Sequence, residues 1–158
     1  MMKKVVFALA LMVCVPPAFA QRTQISPQEE ANKKVVYEFY RQVWETGNAD
    51  LLGNFYAADF IEHNPAVPPG GLDGLKTFLR RRFPQARPAG AELQNPPALV
   101  LVDGDIVTWI FRRDQKDPRD GSPYNSFWFD SYRVRNGKVV EHWDAATRQA
   151  PPAAPPTR

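Results

Sequence analysis

The chain is poor in cysteine and histidine. It has 158 residues, with one cysteine and two histidines. The cysteine, Cys14, lies in an apolar stretch near the N-terminus. If this stretch is a leader that is removed, the remaining chain cannot form a disulfide and must be held together by its hydrophobic core. The two histidines do not form a His-x-His pair, so their spacing gives little support for a metal site.

The chain also lacks a long apolar run. Its most apolar segment, VVFALALMVCV, is too short to span a bilayer comfortably, and a Pro-Pro pair follows it. The segment comes after the charged start MMKK and before Ala-Phe-Ala, which is the layout of a secretory signal peptide. We therefore expect residues 1–20 to be a signal peptide, cleaved after Ala20. The mature protein would then be periplasmic or secreted, with no membrane segment. A retained anchor is the alternative.

Positive charge is not concentrated in a way that favours nucleic acid. The formal net charge is +3, and two of the lysines belong to the predicted signal peptide. The only basic run is RRRF at 80–83, and no aromatic stacking platform accompanies it. We therefore expect no nucleic-acid partner and interpret the basic run as a solvated helix end.

The first half of the mature chain has helical periodicity. Residues 21–30 form a lead-in and the first helix cap, in which Ser26, Pro27 and Glu29 have capping-box spacing. A second, shorter helix is predicted after Gly47. A third helix, with its leucines on one side, ends at Pro84. Residues 31–149 should form one domain, and the proline-rich residues 150–158 a disordered or extended tail.

From residue 90 the period changes to that of strands. ALVLV and DIVTWIF flank Asp-Gly-Asp at 103–105, and YNSFWFDSYRV and KVVEHWDAAT flank Arg-Asn-Gly at 135–137, so two hairpins are predicted. Three helices followed by long antiparallel strands predict an α+β fold with helices on one face of a curved sheet. Both strand faces carry large apolar residues, so we expect a homodimer that covers the outer face through Phe127, Phe129 and Trp143.

The candidate chemistry lies on the last two strands. Strand alternation places Val140, His142 and Asp144 on one face if no bulge breaks the period, and Asp130 belongs to the neighbouring strand. His142 and Asp144 would be about 7 Å apart along the strand, which suits contacts to different atoms of one small molecule. The same pattern also fits a satisfied core histidine and a carboxylate held by an arginine. The other histidine, His63, follows a glutamate in FIEHNP, as His142 does in VVEHWD.

These segments resemble a known family. ANKKVVYEFYRQVWETGNADLLGNFYAADFIEHNPAVPPGGLDGLKTFL, followed by FDSYRVRNGKVVEHWD, resembles the SnoaL-like polyketide cyclases of the NTF2-like superfamily. The resemblance runs from about Asn32 to Asp144. It implies a cone-shaped α+β barrel, a deep apolar pocket between the sheet and the helices, and commonly a dimer formed by sheet faces.

The resemblance also implies roles for individual residues. The characterised cyclases carry out a cofactor-free intramolecular aldol cyclisation, with an aspartate matching Asp144 as the acid/base and a histidine nearby. His63 would face the same pocket as His142 from the helical side. The candidates for the wall of the pocket are Trp109, Trp128 and Tyr132, and core packing is the alternative for each. Asp130 and Asn64 are further candidate binding residues.

Three functions follow for the predicted site. The first is a cofactor-free acid/base enzyme, of the aldol cyclisation or isomerisation type, that acts on a small apolar carbonyl compound. Burial in an apolar pocket would raise the pKa of the aspartate and make it a useful base near neutral pH. The second is a non-catalytic periplasmic protein that binds a small ligand or serves as a scaffold. The third, which we disfavour, is a metal site formed by His63, His142 and a carboxylate.

Overall fold

A computed structural model describes residues 24–148 of the chain. The predicted signal peptide at 1–20 and the predicted tail at 150–158 lie outside these residues, so both remain predictions. Within residues 24–148, no helix combines the length and the apolar character that crossing a membrane requires.

The first helix begins where the capping box predicts. Helix α1 spans Pro27–Phe39 and continues as one π-helical turn, Tyr40–Trp44. The hydroxyl of Ser26 accepts from the backbone N–H of Glu29 at 3.2 Å, and the Ser26 N–H donates to the Glu29 carboxylate at 2.7 Å. These two bonds satisfy donors that a helix start leaves unpaired, and they fix the position of α1.

Two shorter helical segments complete the helical layer. A 3₁₀ turn, Ala49–Leu51, leads into α2, Leu52–Phe55, and α3 spans Leu72–Arg82. Gly47 ends the first helical region with φ of 72°, and a Cβ at this position would lie 2.4 Å from Cβ of Phe83. Both the backbone conformation and the lack of space therefore require glycine here.

Five strands form one curved, open sheet. They are β1 (Tyr56–Glu62), β2 (Leu99–Asp103), β3 (Ile106–Lys116), β4 (Pro123–Arg135) and β5 (Lys138–Asp144), in the order β1-β5-β4-β3-β2. Strand β1 is parallel to β5, and the other pairs are antiparallel. The predicted α+β fold, with three helices on a curved sheet, is confirmed. The predicted second helix ends at Phe55, and Tyr56 is the first residue of β1.

The core lies between α1 and the inner face of the sheet. Apolar residues of α1 and of the π-helical turn pack against alternate residues of β3, β4 and β5. The almost fully buried apolar side chains include Val36, Phe39, Tyr40, Val43, Trp109, Tyr132, Val134 and Val139. This packing covers one face of the sheet, and the side chains of Asp130 and His142 are buried on the same face.

A bulge in β5 changes which valine is buried. Val134 pairs with Val139 and Arg133 pairs with Glu141, so Val140 is an extra residue between the two pairs. Val139 is consequently fully buried on the inner face, where unbroken alternation predicted Val140. The prediction for Val140 is therefore wrong. The bulge ends before Glu141, so alternation still places His142 and Asp144 together.

The outer face of the sheet exposes a set of apolar side chains, here called the outer-face patch. Phe127 is 53% exposed and Phe129 is 46% exposed. The patch also contains Ile61, Leu99 and Leu101, which are similarly exposed. Such a patch is unusual on a monomeric surface, so the predicted homodimer stays a prediction with a defined surface.

Candidate functional site

A cavity of about 1070 Å³ opens between the helices and the inner face of the sheet. Its lining combines aromatic side chains with a similarly large set of polar and charged side chains. The lining residues used below are Tyr40, Glu45, Asn64, Ala66, Arg82, Arg112, Arg113, Trp128, Asp130, Tyr132, His142, Ala145, Ala146 and Arg148. A cavity with aromatic walls and converging polar groups is typical of a small-molecule site.

His142 is the central polar group of the cavity. Its side chain lies on β5 and is almost completely buried, and Nδ1 is 2.8 Å from Oε1 of Glu62. Nε2 is 3.7 Å from Oδ1 of Asp130 and has no hydrogen-bond partner within residues 24–148. Burial lowers the pKa of His142, but the hydrogen bonds and charges of Asp130 and Glu62 outweigh it and raise the pKa to about 9. The imidazole is therefore a buried cation at neutral pH, with one N–H free.

Asp130 is held by aromatic donors. The hydroxyl of Tyr40 donates to Oδ2, and the indole Nε1 of Trp128 donates to Oδ1 at 2.7 Å. Tyr132 in turn donates to the hydroxyl of Tyr40 at 3.1 Å, and its ring stacks on the imidazole of His142. Burial, followed by the charge of Asp130, raises the pKa of Tyr40 well above its usual value. Tyr40 therefore stays protonated and keeps donating to the carboxylate.

Asp144 lies beside the cavity wall, opposite Asp130 in the ladder between β4 and β5. Its Oδ2 accepts from Nδ2 of Asn64 at 2.5 Å, and its Oδ1 accepts from the N–H of Ala146 at 2.8 Å. Burial raises the pKa of Asp144, and this effect exceeds the opposing effects of the Ala146 N–H, the His142 charge and the Asn64 amide. The carboxylate is thus a stronger base than an exposed aspartate.

The three side chains Asp130, His142 and Asp144 converge. One ligand atom from each lies within 4.8 Å of the others, so a single small group could contact all three. The set also has the composition of a metal site. A metal would, however, have to displace the proton that two carboxylates stabilise on His142.

His63 does not join this cluster, and the expectation that it faces the same pocket is wrong. Its Nε2 is 2.9 Å from Oε1 of Glu141, and its ring stacks on Trp143 on the outer face of the sheet. The reason is the alternation at the end of β1. Glu62 points inward to His142, so the next residue points the opposite way.

The structure brings the candidates Asn64, Trp128, Asp130 and Tyr132 to the cavity, but not Trp109. Trp109 is buried in the core and stacks on the other side of Tyr40 at a ring separation of 4.5 Å. Its position matches the core-packing alternative.

Two site residues were not among the candidates, namely Glu62 and Tyr40. A signal for Glu62 was present, because Phe60 and Glu62 share one strand face and Phe60 is apolar. Tyr40 gave no such signal, since an aromatic residue at helical spacing is ordinary core.

Comparison with known proteins identifies the family and the fold of the chain. The SnoaL-like domain family matches residues 36–142 of the chain. No curated protein matches the chain significantly.

Three solved structures illustrate the likeness in fold. A protein assigned as a SnoaL-like polyketide cyclase from Jannaschia sp. CCS1 is 20% identical, with a TM-score of 0.52, over 78% of this chain and 92% of that one. An NTF2-like protein from Anabaena variabilis is 19% identical, with a TM-score of 0.52, over 79% and 96%. A protein assigned as a polyketide cyclase from Acidithiobacillus ferrooxidans is 18% identical, with a TM-score of 0.50, over 76% and 89%. The likeness establishes an NTF2-like fold.

Proposed function

The chain belongs to the SnoaL-like domain family, and on that premise we propose that it is an exported, cofactor-free acid/base enzyme. Its substrate would be a small, largely apolar carbonyl compound, and the reaction an aldol cyclisation or an isomerisation. Two of the similar structures are described as polyketide cyclases, which supports the reaction class by analogy only.

The observation that carries the proposal is the free N–H of His142. The imidazolium donates its Nδ1–H to Glu62, but its Nε2–H has no hydrogen-bond partner within residues 24–148. A buried donor without a partner is costly to maintain unless a ligand atom completes it. A carbonyl oxygen that becomes an enolate oxygen is a suitable acceptor, because its negative charge grows during the reaction. His142 Nε2 would therefore stabilise the enolate, as the donors of an oxyanion hole do.

Asp144 is the group we propose for proton transfer. It would remove a proton from the carbon next to the carbonyl, so the C–H bond breaks and its electron pair forms the enolate. In a cyclisation the enolate carbon then attacks a second carbonyl carbon of the same molecule, and the new alkoxide takes up a proton. In an isomerisation the proton returns to a different atom. Both oxygens of Asp130 and both oxygens of Asp144 already accept hydrogen bonds, so occupancy does not separate the two carboxylates. We choose Asp144 because burial raises its pKa and because it matches the acid/base aspartate that the family resemblance implies.

The test follows proton exchange and needs no knowledge of the natural substrate. A set of cyclic and aromatic ketones, beginning with 1-tetralone, is incubated with the protein in D₂O, and deuterium at the α-carbon is measured by mass spectrometry. We expect exchange above the buffer rate, and a loss of at least about a hundredfold in Asp144→Asn. Asp59→Asn is the matched control, because Asp59 is exposed and lies outside the cavity.

The exchange rates also distinguish an enzyme from a non-catalytic ligand-binding or scaffold protein. If folded Asp144→Asn keeps the wild-type exchange rate, Asp144 is not the base. If the wild type binds the ketones without exchanging any of them, a non-catalytic ligand-binding or scaffold protein replaces the enzyme. The melting temperature of each variant shows whether a loss of rate is instead a loss of fold.

We also propose that the outer-face patch binds a second copy of the chain. The patch combines exposed Phe127 and Phe129 on β4 with apolar residues of β1 and β2. Trp143 lies on the same face but is partly covered by His63 and by the guanidinium of Arg133. The cavity opens on the opposite face of the sheet, so such a dimer would leave it accessible.

A further inference from the structure

Arginines surround the mouth of the cavity. Four of them, Arg82, Arg112, Arg113 and Arg148, are among its lining residues, and all four are exposed. They come from α3, from β3 and from the segment after β5, so no single basic stretch of sequence explains the cluster. The formal net charge of the whole chain is only +3, so this is a local concentration of positive charge.

Three of these arginines have no carboxylate partner in the part of the chain that the structure describes. Arg112 forms an ion pair with Asp114 at 3.1 Å, which partly neutralises it. Within residues 24–148, by contrast, Arg82, Arg113 and Arg148 form no ion pair. We call these three the mouth arginines.

Within residues 24–148, three of the five exposed arginines outside the mouth form an ion pair, and Arg81 and Arg87 do not. Arg80, which precedes the mouth arginine of α3 by two residues, binds Asp50 at 2.7 Å. Arg119 binds Asp117 at 2.6 Å, and Arg135 binds Asp105 at 3.0 Å. The mouth therefore differs in bringing three guanidinium groups together that have no carboxylate partner within residues 24–148.

The acidic group near the mouth does not neutralise them. Glu45 lines the cavity, but its two carboxylate oxygens accept from the backbone N–H groups of Gln94 and Asn95 at 2.9 and 2.8 Å. Its hydrogen bonds hold a loop rather than an arginine.

Arg113 connects the mouth to the reacting end of the cavity. Its guanidinium lies over the ring of Trp128, 4.1 Å from the centroid. The same indole donates to Asp130, whose Oδ1 is 3.7 Å from Nε2 of His142. One aromatic side chain thus separates a free guanidinium from the polar cluster, and a ligand of one or two rings could reach both.

We propose that the ligand of this cavity carries an anionic group, such as a carboxylate, which the mouth arginines bind. This inference rests on the proposed function and specifies its substrate as an acidic carbonyl compound. The anionic group lies at the mouth, the apolar body lies along the aromatic wall, and the carbonyl oxygen accepts from His142. Guanidinium groups suit this role because they are always charged and present several N–H donors to one anion.

The test uses two fluorescent probes that differ by the anionic group alone. 8-Anilinonaphthalene-1-sulfonate has a sulfonate, and N-phenyl-1-naphthylamine is the same aromatic amine without it. Dissociation constants for both are measured with the wild type, with each mouth arginine changed to Gln, and with the triple variant. Arg81→Gln is the matched control, because Arg81 neighbours Arg82 on α3 but does not line the cavity.

We expect each mouth substitution to weaken binding of the sulfonate by about two- to fivefold, since exposed ion pairs are individually modest. The triple variant should lose about tenfold or more. The neutral probe should bind all variants alike, and added NaCl should weaken binding of the sulfonate alone. Ala66→Trp, which fills part of the cavity, should weaken both probes and thereby show that they occupy it.

Equal losses in Arg81→Gln and Arg82→Gln, or sulfonate binding that the triple variant leaves intact, would overturn the proposal. The ketone exchange assay tests the proposed enzyme activity independently of sulfonate binding. If ketone exchange depends on Asp144 but sulfonate binding does not depend on the mouth arginines, the proposed enzyme stands and the proposed anionic group of its substrate is refuted. If sulfonate binding depends on the mouth arginines but no ketone exchanges, the anion site stands and the proposed enzyme is refuted.

Discussion

The charge of His142 should make the stability of the protein depend on pH. The pKa of this buried imidazole is raised from 6.5 to about 9 by Asp130 and Glu62, against the opposing effect of burial. The folded state therefore binds a proton more tightly than the unfolded state does. Its contribution to stability is fully present below pH 6.5 and is lost as the pH rises through about 9.

The size of the effect follows from the two pKa values. A rise from 6.5 to about 9 corresponds to about 3 kcal/mol, at about 1.4 kcal/mol for each tenfold change in proton affinity. Small domains have a total stability of about 5–15 kcal/mol, so the loss should be easy to measure. Glu62→Gln keeps a side chain of the same shape but removes one of the two charges, so it should reduce the pH dependence.

The measurement combines denaturation with direct titration. Urea unfolding between pH 6 and pH 9.5 gives the free energy of unfolding, and NMR of the imidazole signals gives the pKa. The chain has only two histidines, so His63→Gln assigns the remaining signal to His142. A His142 signal that titrates near 6.5, together with stability that does not change over this range, would refute the reasoning and remove the cationic donor from the proposed mechanism.

Four further predictions use other parts of the chain. Gly74→Ala should destabilise the protein by several kcal/mol in thermal unfolding, because the added Cβ would lie 1.9 Å from the backbone oxygen of Pro68; an unchanged melting temperature would contradict this packing. Sedimentation at micromolar concentration should give twice the chain mass, and Phe129→Glu on the outer-face patch should give a monomer. The mature protein should begin after Ala20 by mass spectrometry, and an intact N-terminus in exported material would contradict cleavage. Elemental analysis should find no stoichiometric metal, whereas zinc or iron lost on His142→Gln would favour a metal site.

Local signals in the sequence predicted local structure well. The capping box at Ser26 gave the start of α1, because it names both the cap and its partner three residues later. The Asn-Gly pair gave the β4–β5 turn, because both residues must adopt positive φ; Asn136 has φ of 51° and Gly137 has φ of 72°. In each case the determining atoms lie within a few residues of one another in the chain.

Long-range features were predicted less well. The bulge at Val140 depends on how β4 and β5 fit against the core, which no short sequence pattern encodes. The parallel pairing of β1 with β5 joins strands that are far apart in sequence. That pairing decides which of two adjacent residues, Glu62 or His63, points into the cavity. If a prediction is wrong by one residue about which side chains of a strand face the core, it therefore assigns a surface residue to the site in place of the true site residue.

The two histidines show how far the face of a sheet, rather than the local sequence, determines chemistry. Each follows a glutamate, and the parallel register places Glu62 beside His142. The two Glu-His pairs consequently exchange partners. Each histidine contacts the glutamate of the other strand, His142 with Glu62 on the inner face and His63 with Glu141 on the outer face.

The two histidine–glutamate contacts therefore lie in different environments. The side chain of His63 is 43% exposed, so water competes with its contact to Glu141, and such exposed pairs contribute little. The inner pair is shielded from water, a second carboxylate lies nearby, and Nε2 of His142 has no hydrogen-bond partner within residues 24–148. Burial thus gives one of two identical dipeptides a charged imidazole with an unpaired N–H. A substitution that moved β1 by one residue would place His63 inside and Glu62 outside, and it should abolish ketone exchange even with His142 and Asp144 intact.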